Sequence, residues 1–223
     1  MRELSPPGLL CFGVIARENP RAAGALVGAR SPAGIRAARV SGLTTCAVIL
    51  RRRPVARIAG IEVQPATVAT LPEVVAFLRA EGSRRQFFPA YTLEDFTGGT
   101  ALRGLAVDDV LVARRDGDIV GTMAVWDQSA YKQDIVEAYG PALRRLRPVY
   151  DLAARALGAR PLTPPGAAIP LAFAACTCAQ GDDPGITRAL VSAAAAHARA
   201  RGKAYLLVGL ADADPLLGIV RRF

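Results

Sequence analysis

The stretch Ile169–Thr177 constrains this chain more than any other, because it is almost wholly apolar and breaks at Gln180–Gly185 into a long alanine-rich segment, Ile186–Arg201. A short apolar run bounded by a turn reads as a strand buried on both faces. The segment that follows has helical period. Ile186, Leu190, Ala193 and His197 share one face of it, and Arg188, Ser192 and Arg199 share the opposite one. A second apolar strand, Lys203–Ala211, comes next, and Pro215 opens a short closing helix over Asp214–Phe223.

Upstream the same alternation begins at Ile61. Ile61–Val63 is a short strand, and Thr70–Ala80 is a helix with Thr70 as its cap and Pro72 and Glu73 in its first turn. Val110–Arg115 and Ile119–Trp126 form a hairpin across Asp116-Gly117-Asp118. Between that hairpin and Ile169 lie helical pieces at Ile135–Tyr139, Ala142–Leu146 and Val149–Leu157, closed by Gly158 and the proline-rich Pro161–Gly166. The pattern predicts an α/β (α+β) domain: a mixed central sheet flanked by helices, with a helical insertion between its third and fourth strands.

Composition narrows the function classes. With 52% hydrophobic and 21% charged residues the chain can bury a core, and its longest apolar runs, such as Leu9–Ala16 and Cys46–Leu50, fall short of a membrane span. Cys11, Cys46, Cys176 and Cys178 have neither metal-site nor disulfide-framework spacing, and there is only one histidine, which points to reduced thiols in a cytoplasmic protein and to no metal centre. The net charge of +9 is concentrated: residues 1–60 hold ten arginines against Glu3 and Glu18, and the rest holds 18 basic against 17 acidic residues. A near-neutral main domain disfavours nucleic acid as a partner, although Arg51-Arg52-Arg53 keeps that reading open for the N-terminal segment.

The order strand, helix, hairpin, central strand, glycine loop, alanine-rich helix ending Ala-Arg-Ala-Arg-Gly202, strand and short helix resembles the GNAT N-acyltransferase superfamily over roughly Ile61–Phe223. The resemblance implies an acyl-CoA co-substrate, acetyl-CoA or another, with pantetheine along the central strand and pyrophosphate in a loop of the form Gln/Arg-x-x-Gly-x-Gly/Ala. Gln180 and Gly185 match that loop, whereas Asp183 replaces its middle glycine and Asp182 adds a second carboxylate. By this resemblance the cofactor-binding residues are Thr177, Cys178, Ala179, Gln180, Gly181, Gly185, Ile186 and Thr187. Backbone amides at a helix start suit a phosphate. Two carboxylates there repel it unless they turn outward or cap the helix.

A second likeness lies at the N-terminus, where Leu9–Ala16 reads as a strand, Ala22–Val27 as a helix, and Asn19 and Ala22 match a GNAT helix start. Residues 1–60 therefore resemble the remnant of a preceding GNAT-like domain plus linker, and 61–223 the acyltransferase domain. Gly42–Leu50 is expected to supply a strand that the family normally places after the last helix.

A GNAT reaction needs a base to take the ammonium proton. Ile169–Thr177 contains no acid, so the candidate is Asp127, with Gln128, Tyr131 and Lys132 as substrate contacts; the competing reading of this cluster is a turn. Ser83-Arg-Arg-Gln-Phe-Phe88 with Tyr91 could contact an anionic acceptor or anchor the core. His197, Cys176 and Cys178 read as packed side chains. The implied function is acyl-CoA-dependent transfer, acetyl transfer first, to an amine of a small molecule or protein, and a homodimer is compatible with it. The alternative is a catalytically impaired GNAT-like module that binds acyl-CoA or a protein.

Overall fold

Asn19 and Pro20 start the first helix of the computed structural model, which describes residues 13–26, 38–85 and 87–223. The chain divides into two units, 1–43 and 44–223. In the first, helix α1 (Pro20–Leu26) is capped by Asn19, whose side chain accepts from the Ala22 amide at 3.0 Å. Residues 13–16 of the expected strand have no regular structure, and Leu9–Phe12, Val27 and Gln86 lie outside the described residues.

In the second unit the elements run β1 (Leu43–Ile49), β2 (Glu62–Pro65), α2 (Leu71–Gly82), α3 (Leu93–Thr97), β3 (Val110–Arg115) and β4 (Asp118–Trp126). They continue with α4 (Pro141–Ala156), β5 (Leu171–Ala179), α5 (Pro184–Ala200), β6 (Tyr205–Ala211) and α6 (Leu217–Val220). The strands form one mixed sheet in the order β1-β6-β5-β4-β3-β2. From β2 to β5 neighbours are antiparallel, and β5 pairs with β6 in parallel. Element order and layering are those expected from the GNAT resemblance.

Local chemistry explains most of these elements. Asp116 and Gly117 have φ of 53° and 91°, which closes the two-residue hairpin between β3 and β4 in the twist that strands favour. The Thr67 amide donates to the Thr70 hydroxyl at 2.9 Å in the turn leading into α2, and Thr92 and Asp95 form the same reciprocal cap at α3. The sheet is buried on both sides. Leu71, Val74 and Leu78 of α2 cover Val110 and Val112 on one face, and Ile186, Leu190 and Val191 of α5 cover Met123 and Leu206 on the other. Each such side chain contributes about 1.5–3 kcal/mol through burial.

Two expectations are corrected. The helical pieces 142–146 and 149–157 are one helix, α4, with Pro148 inside it; proline there leaves the Arg144 carbonyl without its donor and crowds it with the ring, and that turn faces water. Ile135–Tyr139 is not helical, since Ile135 makes an antiparallel bridge to Ala168. The strand expected over Gly42–Leu50 is present as β1 beside β6, and the Leu50 amide donates to the Ala204 carbonyl at 2.9 Å.

Candidate cofactor site

β5 and β6 are paired only where Leu171–Phe173 meets Tyr205–Leu207. Beyond Phe173 the two strands part and leave a wedge between them. Along the wedge β5 carries a bulge: Met123 of β4 faces both Cys176 and Thr177, and Cys176 takes a left-handed φ of 49°. The buried Thr122 hydroxyl holds the bulge by donating to the Cys176 carbonyl at 2.7 Å. Beyond Phe173 the free edge of β5 offers backbone groups to an extended ligand, much as a sheet edge accepts a further strand.

At its far end β5 runs into the loop Gln180–Gly185. Gly181 and Asp182 adopt φ of 60° and 56°, which turns the chain into α5. Asp183 is the N-cap of α5, its Oδ1 accepting from the amides of Gly185 at 2.6 Å and Ile186 at 3.1 Å. Burial opposes its charge, but these two amides and Arg115 at 3.5 Å outweigh it and hold the carboxyl below the ordinary aspartate range. The Thr187 amide donates to the Asp183 carbonyl at 3.1 Å, the Asp183 amide to the Gln180 carbonyl at 3.2 Å, and the Gly181 amide to Glu81 at 3.4 Å. The amides of Gly181, Gly185, Ile186 and Thr187, which the sequence offered to a pyrophosphate, thus already have acceptors, among them the Glu81 and Asp183 carboxylates.

Arg85, read in the sequence as a contact for an anionic acceptor, instead spans the mouth of the wedge. It pairs with Asp182 after β5 and, at 2.9 Å, with Asp214 after β6. Of its neighbours, Phe88 packs against Tyr91 with ring centroids 6.0 Å apart, and Phe87 is 40% exposed with φ of 62°.

Thr177 is half-buried beside the wedge, whereas Cys178, Ala179, Ile186 and Thr187 are buried in β5 and α5, so these four present backbone and not side chain. Burial pushes the Cys176 thiol up to about 12 and the Cys178 thiol to about 11, which leaves both protonated and unreactive near neutrality. Tyr91 contacts Cys176 at the bulge, and burial raises its hydroxyl far above the ordinary tyrosine range. Its place beside the bulge carried no sequence signal beyond an aromatic residue in a basic patch.

The second group of expected residues lies at the closed end of the wedge, away from the loop. Asp127 follows β4 at the end where β5 and β6 are still joined, six strand residues or roughly 20 Å from the Ala179 end of β5. Its carboxylate pairs with Lys203 at 2.5 Å and accepts from the Ser129 amide at 3.0 Å, so the cluster is a turn. Burial works against its charge, but Lys203 and Ser129 keep Asp127 below the ordinary range, which makes it a weak base. Gln128 closes the turn by accepting from the Tyr131 and Lys132 amides, Tyr131 lies against Arg103, and Lys132 lies over Phe173. A cavity of about 380 Å³ opens between Asp127, Lys203, Arg103, Tyr131, Asp109 and Arg201, with Val125, Ala130 and Ala172 also in its wall. His197, at the C-terminal end of α5, bonds Asp109 at 2.7 Å behind that cavity.

Among the described residues no helix is long and apolar enough to cross a membrane, and no group of His, Cys, Asp or Glu side chains could hold a metal ion.

Sheet, wedge and loop together resemble a GNAT-type domain. No protein-family model matches the chain, and no curated protein is similar to it. Among solved structures it is similar to a GNAT-family protein of Novosphingobium aromaticivorans assigned as an acetyltransferase, with 12% identity and a TM-score of 0.42 over 82% of this chain and 58% of that one. It is similar also to the GCN5-related glucosamine N-acetyltransferase region of a fungal multidomain GH3 β-N-acetylglucosaminidase, with 15% identity and a TM-score of 0.41 over 73% of this chain and 16% of that one. A third likeness is to a protein of Pyrococcus horikoshii assigned as an acetyltransferase, with 11% identity and a TM-score of 0.34 over 68% of this chain and 38% of that one. The chain thus spans less than two thirds of each of these neighbours.

Proposed function

We propose that this chain is an acyl-CoA-dependent N-acyltransferase of the cytoplasm that takes the acyl-CoA, acetyl-CoA first, in the wedge between β5 and β6. The observation that supports this reading is the parting of those strands after Phe173 beside a bulge that Thr122 holds in place. Pantetheine amides would pair with the free edge of β5, and the thioester would lie near Cys176 and Tyr91. The neutral amine nitrogen of a small molecule or protein attacks the thioester carbonyl, a C–N bond forms, the C–S bond breaks, and the CoA thiolate takes a proton that is replaced by the one the nitrogen loses. Tyr91, protonated at neutral pH, stands where it could supply the thiolate's proton. For pyrophosphate to enter the loop, Asp183 must leave the Gly185 and Ile186 amides, with Arg115 positioned to receive its carboxylate.

A second reading is a GNAT-like module that binds acyl-CoA or a protein without turnover. The Asp183 cap favours it, as does the pairing of Asp127 with Lys203, which leaves Asp127 a weak base. Calorimetric titration of acetyl-CoA, followed by an assay for released CoA with a panel of primary amines, separates the two. Saturable binding with amine-dependent CoA release supports the enzyme, and binding without release supports the module. No heat and no thermal stabilisation at millimolar acetyl-CoA would overturn the enzyme and the acyl-CoA-binding module, leaving only a protein-binding one.

A further inference from the structure

On the α5 side of the sheet, away from both the wedge and the Asp127 cavity, six arginines line a half-open crevice of about 400 Å³. Arg51, Arg52 and Arg53 follow β1, Arg188 and Arg199 stand on α5, and Arg222 follows α6. No acidic side chain lines it. The sequence puts Arg188 and Arg199 on a solvent face together with Ser192, but Ser192 is only 8% exposed, because the Ala56 amide donates to its hydroxyl at 2.7 Å. That bond lays the segment after β1 along α5 and brings the arginine triplet over the helix.

What sets this crevice apart is the gathering of arginines with no acidic side chain among them. Elsewhere Arg84, Arg85, Arg114, Arg115, Arg147 and Arg201 have carboxylate partners, while others such as Arg103, Arg145, Arg155 and Arg221 have no ion pair among the described residues. None of the six crevice arginines has an ion pair among the described residues, and Arg51 Nε is buried without a hydrogen-bond acceptor. An arginine-rich composition accounts for the choice of arginine over lysine; it does not account for gathering six guanidinium groups around one concavity with no acidic side chain. Like charges so placed repel, and the arrangement is relieved by a multivalent anion. Guanidinium groups take phosphate oxygens in bidentate fashion, and the volume lies within the range of small-molecule sites. Ile49, Ile219 and Phe223 add an apolar wall. Arg188 and Arg199 are three helical turns apart, about 16 Å, so a single phosphate cannot engage both ends.

We infer that this crevice is a binding site for a compact oligophosphate ester, with its phosphates on the arginines and its apolar part against Ile49, Ile219 and Phe223. The site is separate from the wedge, and its occupancy does not depend on acyl transfer.

The test is calorimetric titration of the whole chain with sodium tripolyphosphate and with ATP at fixed ionic strength. Saturable binding of one equivalent is expected. The double variant R188Q/R199Q, whose exposed positions leave the core intact, is expected to weaken it at least tenfold. R145Q/R155Q, which removes the same charge from exposed positions of α4, is expected to leave it unchanged, and thermal melts establish that both variants fold. Simultaneous binding of acetyl-CoA and tripolyphosphate would support a site separate from the wedge, and competition that R188Q/R199Q abolishes would overturn that separation by making the CoA nucleotide the ester bound here. Three results would overturn the inference: no saturable heat at millimolar tripolyphosphate, equal weakening in the two double variants, or equal thermal stabilisation by sulfate at matched ionic strength. So would affinity for single-stranded DNA that climbs with oligonucleotide length past that for tripolyphosphate, since it would mark a polynucleotide-tracking surface.

Discussion

The Asp183 carboxylate accepts a hydrogen bond from the Gly185 amide at 2.6 Å, so the residue that replaces a loop glycine also occupies the amide such a loop would offer to phosphate. The loop carries its own anion. This makes helix stability and cofactor affinity opposing functions of one side chain.

Replacing Asp183 by alanine is expected to cost about 1 kcal/mol of stability, the usual value of a lost N-cap, whereas glycine costs only a few tenths. D183G is therefore the informative variant for affinity: it is expected to bind acetyl-CoA more tightly than the wild type in calorimetry. Unchanged or weaker binding would show that the carboxylate does not compete with the pyrophosphate. The pH dependence has a definite sign. The folded state holds this carboxyl below its unfolded value, so the cap contributes fully above about pH 4 and is lost as pH falls through the folded pKa. The stability gap between wild type and D183A, measured by urea denaturation, is expected to shrink in that acid range and to stay constant from pH 5 to 8.

The bulge that shapes the wedge depends on one hydroxyl. Thr122→Val keeps the shape of the side chain and leaves the Cys176 carbonyl without its donor, for an expected loss of about 1–3 kcal/mol. Urea denaturation measures the loss. Any acyl transfer by the protein should fall by more than the stability change explains, because the strand edge facing the thioester would relax. Transfer that survives at the wild-type rate would place the chemistry elsewhere.

The cysteines give a structural check that needs no ligand. With the Cys176 and Cys178 thiols raised to about 12 and about 11, alkylation by iodoacetamide at pH 8 is expected to spare both, while the half-exposed Cys46 on β1 is modified. Peptide mass spectrometry reads the outcome. Fast labelling of Cys176 in the native protein would mean that the bulge is open to solvent. Because the fold favours the neutral thiols, their contribution is complete below about pH 8.5 and declines as the solution becomes more alkaline.

The parts of this fold written in local chemistry were readable from sequence. Asp116-Gly117 announces the hairpin, Pro184 and the alanine-rich run announce α5, and the apolar stretch before Gln180 announces β5. What escaped depends on pairs far apart in the chain. Lys203 neutralises Asp127 from 76 positions away, and the Ala56 amide buries Ser192 from 136 away. Neither leaves a trace in spacing or periodicity. Arg85 was visible as a charge beside aromatics, but its two carboxylates come from the ends of different strands. α4 was misread because proline counts as a breaker in a string of letters, while at a water-facing turn of a helix the crowded, freed carbonyl can turn to solvent and the helix runs on.

The short ladder between β5 and β6 also has a mechanical meaning. Four strands, β2 to β5, are laced together along most of their lengths, whereas β6 and its outer neighbour β1 join them through three residue pairs, the Lys203–Asp127 ion pair at the closed end, the Arg85 clasp and the helices behind. A sheet with such a seam has a built-in line of compliance. Amide protons on either side of it should exchange sooner than those inside the hairpin, and a ligand that fills the seam would act as a splint, stiffening two halves of a sheet that the polypeptide alone leaves loosely sewn.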